Sequence, residues 1–414
     1  MNQHDFPPAP WIGQGPPNGA FAEPRPNMQG RYLLKSARSA RIVGWVDRAL
    51  SLVPVRRSRL PKQIDRILLA NWGHLGDVVT TLGAVSALRE RHPGIEIGMI
   101  VASGGRAAIE KTGMVDHLHI VDHWWISRAR TTRAEMRRHF RATRSQALRE
   151  IRKIGYQAAI DFYPFFPPAH PLFYHARIPV RIGYASGGFS PLLTHPVAWP
   201  NARVPVAEQY RVLLNALHPD APFPPEVLRP RRDRAKLASL PEAVAGAGRY
   251  VVLHPGAGAD YKEWELDHWH MLADRVAATG PGCCIVLTGA GAREAEMTAE
   301  IAARIPSAID MAGKVDWESF VSIIAHADMV VCPDTATGHV AGALDVPVVS
   351  IFTGTNVAEQ WQPYTQQSRL LVHGVACAPC NRPGCEAMAC IRETRPEQVL
   401  AAMRDLGWPF LAAD

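Results

Sequence analysis

The sequence predicts an α/β protein built as two Rossmann-like domains facing across a cleft. Three observations carry that expectation. A chain of 414 residues exceeds one ordinary core and suits two domains of roughly 150–200 residues each. Short apolar runs alternate with helical patterns in two separate series, which is how βαβ units and parallel sheets are written in sequence. Glycine-bearing turns follow several of those runs, at the strand ends where open parallel sheets bind ligands.

Residues 1–30, rich in Pro, Gly and Asn, hold too few large apolar side chains to fold and are expected to be disordered. Between 35 and 60, Ile42, Val43, Trp45, Val46, Ala49, Leu50 and Val53 recur at helical spacing. Lys35, Arg38, Arg41, Arg48, Arg56 and Arg57 flank them. Two readings stay open: a basic amphipathic helix on an acidic membrane surface, or a helix packed on the domain with its basic face in water.

Ile64–Ala70 is predicted as a buried strand and Asp77–Arg91 as a helix opened by a glycine turn. Ile95–Val101, Leu118–Val121 and, after a long helical stretch, Tyr156–Phe162 complete the first strand series. Proline punctuates 164–200 and again 219–230. The second series reads Tyr250–Leu253, Cys284–Leu287, Met329–Val331 and Val348–Phe352, with helices between. The expected organisation is a tail and basic helix over 1–60, one domain over 61–220, a linker over 221–245 and a second domain over 246–414.

Apolar residues at 47% and charged residues at 20% describe a soluble globular protein. A net charge of +7 favours an anionic partner: nucleic acid, an acidic membrane surface or a phosphorylated glycan. No apolar run reaches the roughly 18 residues of a membrane-spanning helix. The opening MNQHDFPPAPW has no secretory pattern, so a cytoplasmic location with mostly reduced cysteines is expected.

Six constellations carry chemistry. Asn71-Trp72-Gly73-His74-Leu75-Gly76-Asp77 follows the first strand. Its glycines admit close backbone approach and its helix start favours an anion. The third glycine of a dinucleotide fingerprint is missing, and Asp77 reads either as a functional carboxylate or as a helix cap. His254-Pro255-Gly256-Ala257-Gly258, with Lys262 and Trp264 beyond it, suits a phosphate held by backbone N–H groups and an ammonium. Thr288-Gly289-Ala290-Gly291 leads to Glu294, which either binds ribose hydroxyls or caps its helix. Asp334-Thr335-Ala336-Thr337-Gly338-His339 opens another helix and offers an anion site for a diphosphate. Three such turns on one sheet edge favour a nucleotide-diphosphate site.

The fifth constellation is the arginine-rich segment 128–153, with Arg128, Arg130, Arg133, Arg137, Arg138, Arg141, Arg144, Arg149, Arg152 and Lys153 against Glu135 and Glu150. Such an excess of one sign points to an anionic ligand. No aromatic stacking series accompanies it, so no nucleic acid is expected. The sixth is Cys377-x2-Cys380-x4-Cys385-x4-Cys390. Four thiolates at that spacing are candidates for a structural zinc or iron cage, the alternative being free or transiently oxidised thiols. Cys283, Cys284 and Cys332 are expected as core residues.

Together these motifs resemble glycosyltransferase family 9, the ADP-heptose:lipopolysaccharide heptosyltransferases. The matching residues are Leu75-Gly76-Asp77-Val78-Val79, Gly183-Tyr184 after Arg181-Ile182, the His-Pro-Gly-Ala run 254–257 with Lys262 and Trp264, and Asp334-Thr335 with His339 and Ala341. Pro347-Val348-Val349 and Phe352-Thr353-Gly354-Thr355 continue the match, which spans about residues 64–405 with order and spacing kept. Two positions depart from the family pattern: Ala336 stands where the turn has glycine, and Thr353-Gly354-Thr355 where Gly-Pro-Thr is usual.

The resemblance implies a GT-B, inverting transferase that requires no metal or other cofactor for catalysis. It implies an ADP-sugar donor and an anionic glycolipid acceptor, met by peripheral contact at the cytoplasmic face of the inner membrane. The domain over 61–220 would bind the acceptor, through His74, Gly76, Arg137 and Arg141, and Asp77 would be the general base. The domain over 246–414 would hold the donor through Gly256, Lys262, Thr288, Gly289, Glu294, Asp334, Thr335, Gly338 and His339. A protein O-heptosyltransferase of the same family and a non-catalytic glycolipid-binding protein remain as alternatives.

Overall fold

The computed structural model describes residues 32–34, 36–55, 58–61, 63–127, 131–200, 203–225, 227–279, 284–380 and 385–408. The expected disordered tail, Lys35, Arg56, Arg57, Arg128, Arg130 and Cys283 lie outside the described residues. Two compact units divide after residue 230; residues 203–205 group with the second.

In the first unit the strands are β1 (Arg66–Ala70), β2 (Glu96–Val101), β3 (His117–Ile120), β4 (Ala158–Asp161), β5 (Val180–Tyr184) and β6 (His195–Val197). All pair in parallel, in the order β3-β2-β1-β4-β5-β6. Its longer helices are α1 (Ala37–Leu50), α2 (Leu75–Arg91), α3 (Arg133–Ile154), α4 (His170–His175) and α5 (Val206–Leu217). Ile67, Leu68, Leu69 and Ala70 are all inaccessible to solvent, because a parallel sheet covered on both faces buries both sides of each strand.

Local chemistry sets the helix ends. Thr132 and Glu135 form a reciprocal capping box at the start of α3, and Gly155 closes it in the left-handed region at φ 72°. Phe140, Ala147 and Ile151 supply the packed stripe of α3, which leaves Arg133, Arg137, Arg138, Arg141, Arg149, Arg152 and Lys153 exposed. In α2, a Cβ on Gly83 would stand 1.8 Å from the Leu228 carbonyl oxygen. Helix and returning chain touch there only because the residue has no side chain.

The second unit repeats the plan. Its strands are β7 (Tyr250–Leu253), β8 (Cys284–Leu287), β9 (Ile309–Asp310), β10 (Met329–Pro333), β11 (Val348–Phe352) and β12 (Ser368–Val372), in the order β12-β11-β10-β7-β8-β9. Its longer helices are α6 (Leu266–Ala277), α7 (Gly291–Arg304), α8 (Trp317–His326), α9 (Ala336–Ala343) and α10 (Pro396–Asp405). Trp264, Trp269, Leu272, Val399 and Met403 pack against Val251, Leu253, Val331 and Ile351 in one core. Cys332 is buried within β10, and burial pushes its thiol up to about 12; Cys284 is half-buried at the start of β8.

Both sheets carry the Rossmann strand order, and in each the order reverses between the first and fourth strands. Ligands of such sheets bind at that reversal, beyond the carboxyl ends of the strands. The two places to look are therefore the turns after β1 and β4, and those after β7 and β10. Among the described residues no helix is long and apolar enough to cross a membrane.

The sequence differs from the structure in extent and in number of strands. The helix expected from Asp77 starts at Leu75, and the strand expected over Tyr156–Phe162 shortens to Ala158–Asp161. The proline-punctuated stretch contains β5 and β6, and β9 and β12 extend the second sheet.

Candidate active site

In the first unit the reversal point is organised by a buried asparagine. Asn71 is fully buried just past β1. Its Nδ2 donates to the Asp77 carbonyl oxygen at 2.9 Å and to Thr81 Oγ1 at 2.9 Å. Its Oδ1 accepts the Gly73 N–H at 3.2 Å. The turn is thus fixed before any ligand arrives. Asp77, the third residue of α2, turns its carboxylate back so that Oδ2 accepts the His74 N–H at 2.6 Å. The same carboxylate lies over Gly73, where a Cβ would come within 2.4 Å of Oδ2. Glycine at 73 is required by this close approach. Asp77 is half-buried and His74 exposed, so solvent reaches the turn while its backbone is held. The Tyr210 hydroxyl lies 3.3 Å from Asn71 Nδ2, and burial followed by the Asp77 charge holds its phenol protonated.

β4, the neighbour of β1, ends in Asp161, which is wholly buried. Its carboxyl accepts N–H bonds from Tyr163 at 3.1 Å and Ala169 at 2.6 Å. Burial nevertheless pushes it up to about 7. His170 Nε2 stands 3.4 Å away, and its Nδ1 lies 3.0 Å from the Gly188 carbonyl oxygen. Nδ1 must carry the proton to bond that carbonyl, so Nε2 faces Asp161 as an acceptor. Burial pushes His170 down to about 3, in keeping with a neutral ring beside a protonated carboxyl. Nothing in the sequence pattern signals this pair, which joins the end of β4 to the start of α4, nine residues on.

The expected acceptor residues come from the turn after β1 and from α3. His74 and Gly76 share the turn with Asp77. Arg137 and Arg141 lie on the exposed face of α3, where the Arg137 guanidinium sits 4.7 Å over the Trp124 ring.

In the second unit the expected donor residues form two groups. Around β7 and β8, His254 Nδ1 meets Thr288 Oγ1 at 3.0 Å. Glu294 Oε2 accepts the Ala290 N–H at 2.6 Å and lies 4.0 Å from His254 Nε2. The Glu294 side chain fills the space over two glycines. A Cβ on Gly256 would be 2.3 Å from Glu294 Cδ, and one on Gly289 would be 2.9 Å from Glu294 Cβ. Burial pushes Glu294 up and His254 down to about 4. Gly256, Thr288, Gly289 and Glu294 are one packed cluster, and Glu294 does cap its helix.

Around β10, Lys262 Nζ reaches Asp334 Oδ2 at 2.5 Å, with side chains 20% and 8% exposed. Asn356 Nδ2 donates to the same oxygen at 2.9 Å. Thr335 caps α9, its hydroxyl accepting the Thr337 N–H at 3.2 Å. Gly338 points inward: a Cβ there would lie 3.2 Å from Pro363 Cγ and from Ser350 Oγ. His339 follows it, nearly buried. No sequence motif marks Asn356, which directly follows the Thr353-Gly354-Thr355 run.

The four cysteines read as a possible metal cage or as free thiols lie around one loop region. Cys377 and Cys385 are exposed and Cys380 and Cys390 half-buried, and residues 381–384 lie outside the described residues. The Cys380 N–H donates to the Gly354 carbonyl oxygen at 2.9 Å, and Cys390 Cβ lies 3.3 Å from where a Gly354 Cβ would be. Burial, with the other three thiols adding to it, pushes the Cys390 thiol up. The four share a region, but among the described residues no three His, Cys, Asp or Glu side chains are placed to hold a metal ion. The zinc or iron reading gains no support from this arrangement.

The model of glycosyltransferase family 9, the heptosyltransferases, matches residues 144–390. The chain is 28% identical over 335 residues to lipopolysaccharide heptosyltransferase 1 of Pseudomonas aeruginosa, covering 77% of this chain and 87% of that protein. In structure it is similar to the family 9 glycosyl transferase of Veillonella parvula, with a TM-score of 0.66 at 18% identity, covering 85% of this chain and 99% of the other. An E. coli heptosyltransferase solved with ADP gives 0.64 at 19% identity, covering 83% and 100%. The fold is of the GT-B class.

Proposed function

For a chain that belongs to glycosyltransferase family 9, and is therefore a glycosyltransferase, we propose transfer of a heptose or similar sugar from an ADP-sugar to a lipopolysaccharide core acceptor. Inversion, independence of metal and work at the cytoplasmic face of the inner membrane are part of the proposal. The observation that carries it is the Asp77 carboxylate, held over Gly73 by a fixed turn at the sheet's reversal point.

The chemistry is a single displacement. The acceptor oxygen forms a bond to the anomeric carbon as the bond from that carbon to the ADP phosphate oxygen breaks, and the acceptor proton passes to Asp77. ADP departs with added negative charge. Lys262, oriented by Asp334, and the N-terminus of α9 at Thr335 supply the positive field that stabilises it. A lysine and a helix end then do what a divalent ion does in other transferases. Turnover with ADP-heptose and a delipidated core acceptor tests the reading. Added chelator is expected to leave the rate within about twofold, whereas activity that returns only with a divalent ion would remove the metal-independent mechanism.

Glu294 and its glycines give a second test. Gly256→Ala would drive a methyl group into the Glu294 carboxylate and shift the edge of the donor site. Calorimetric titration with ADP is expected to show at least about a tenfold weaker Kd, or ~1.4 kcal/mol. Unchanged affinity would show that the Glu294 cluster does not shape the nucleotide site.

A further inference from the structure

α1 is anchored by a charge rather than by its apolar stripe. Asp47 is 3% exposed and accepts from the Tyr32 hydroxyl at 3.0 Å, the Phe189 N–H at 2.7 Å and Ser190 Oγ at 3.3 Å. Val43 packs beside it, against Gly188. Fixing that face inward turns the opposite face out. Ile42 is 56% exposed, Trp45 75% and, just past the helix, Leu52 85%. Three of the five exposed large apolar side chains among the described residues therefore lie within eleven positions of one another. Arg38, Arg41 and Arg48 interleave with them, all exposed, and Asp47 is the sole acid from 36 to 55.

Large apolar side chains set among cations, with no exposed acid, make a face that water solvates poorly and an anionic surface complements. A fourth exposed residue is connected to it. Trp125, 51% exposed, meets Phe166 edge-on at 5.5 Å, and Phe166 stacks on Phe189 at 6.2 Å. Phe189 is the residue whose N–H binds Asp47.

We propose that the outward face of α1 docks on an anionic phospholipid bilayer, with Ile42, Trp45 and Leu52 inserting at the interface and Arg38, Arg41 and Arg48 meeting the phosphates. The proposal deepens the glycolipid-acceptor reading by naming how the first unit reaches a membrane, and it rests on that reading only for its purpose. A protein-like partner is less suited, since the face offers cations and apolar bulk but few directional polar groups. A second copy would bring the same arginines against each other.

The test is co-sedimentation of the full chain with vesicles of phosphatidylglycerol and phosphatidylethanolamine, and separately with phosphatidylcholine vesicles. Binding is expected to the anionic vesicles and to fall with salt. Ile42→Ser with Trp45→Ser should weaken it at least about tenfold, and Arg41→Glu with Arg48→Glu should abolish the anionic preference. All four side chains are exposed, so the melting temperature should hold in both variants, and ADP affinity serves as an independent check of the second unit. Wild-type sedimentation of the Ile42→Ser, Trp45→Ser chain overturns the proposal. So does sedimentation velocity that shows a dimer lost in that variant with no vesicle binding by either form. Vesicle binding without sugar transfer would instead strike only the transferase reading.

Discussion

Replacing Asp77 with Asn is expected to slow sugar transfer by about 10²–10⁴-fold, the usual contribution of a positioned base, while ADP affinity stays within about twofold. The choice of Asn matters because Asp77 has two jobs in this turn. Its Oδ2 accepts the His74 N–H at 2.6 Å, a capping bond that an amide oxygen also makes. Asp77→Asn therefore keeps the start of α2 and removes only the ability to take a proton. Asp77→Ala removes both and should add a loss of about 1 kcal/mol, seen as a drop of about 2–4 °C in Tm. Comparing the pair separates chemistry from structure. An Asn variant with unchanged kcat would leave Asp77 as a helix cap and nothing more.

How much of this was legible in the sequence depends on whether a feature is local. The strands β7, β8 and β11 coincide with their apolar runs because a strand buried on both faces is written as one continuous block. β5 and β6 were hidden in sequence dense with Pro and Gly, where composition argues for loops although Val180–Tyr184 is fully buried. The glycine turns were readable for the same local reason. What the glycines make room for was not: Gly256 and Gly289 lie over Glu294, a contact spanning 38 positions between its outermost residues. The Asp161–His170 pair was invisible because each residue alone looks like a surface group.

The apolar residues of α1 show the opposite failure. Periodicity finds Ile42, Val43, Trp45 and Val46 but cannot say which turn inward, since the anchor is the one carboxylate that follows them, Asp47. A buried charge with three hydrogen-bond donors can set helix orientation against the hydrophobic pattern. Sequence reasoning that assigns apolar residues to the inside misses such a helix.

Lys262→Met is the other substitution with a large expected effect, and the second unit shows why a single variant would mislead. Its ammonium holds Asp334 Oδ2 at 2.5 Å, and Asp334 is nearly buried. Without Lys262 that carboxylate keeps Asn356 as a partner and loses its counter-charge. Stability should fall by about 2–3 kcal/mol, and ADP affinity by about 10²-fold as a charge-assisted contact to the diphosphate disappears. The affinity loss alone could come from a distorted site. Asp334→Asn in the Lys262→Met background removes the unpaired charge, so the double variant should regain most of the lost Tm. Donor affinity should not return with it, because the missing cation is still missing. A double-mutant cycle read on both Tm and Kd measures the two roles separately. If affinity and stability recover together, Lys262 serves only to neutralise Asp334, and the field on the leaving diphosphate must come from the start of α9 alone.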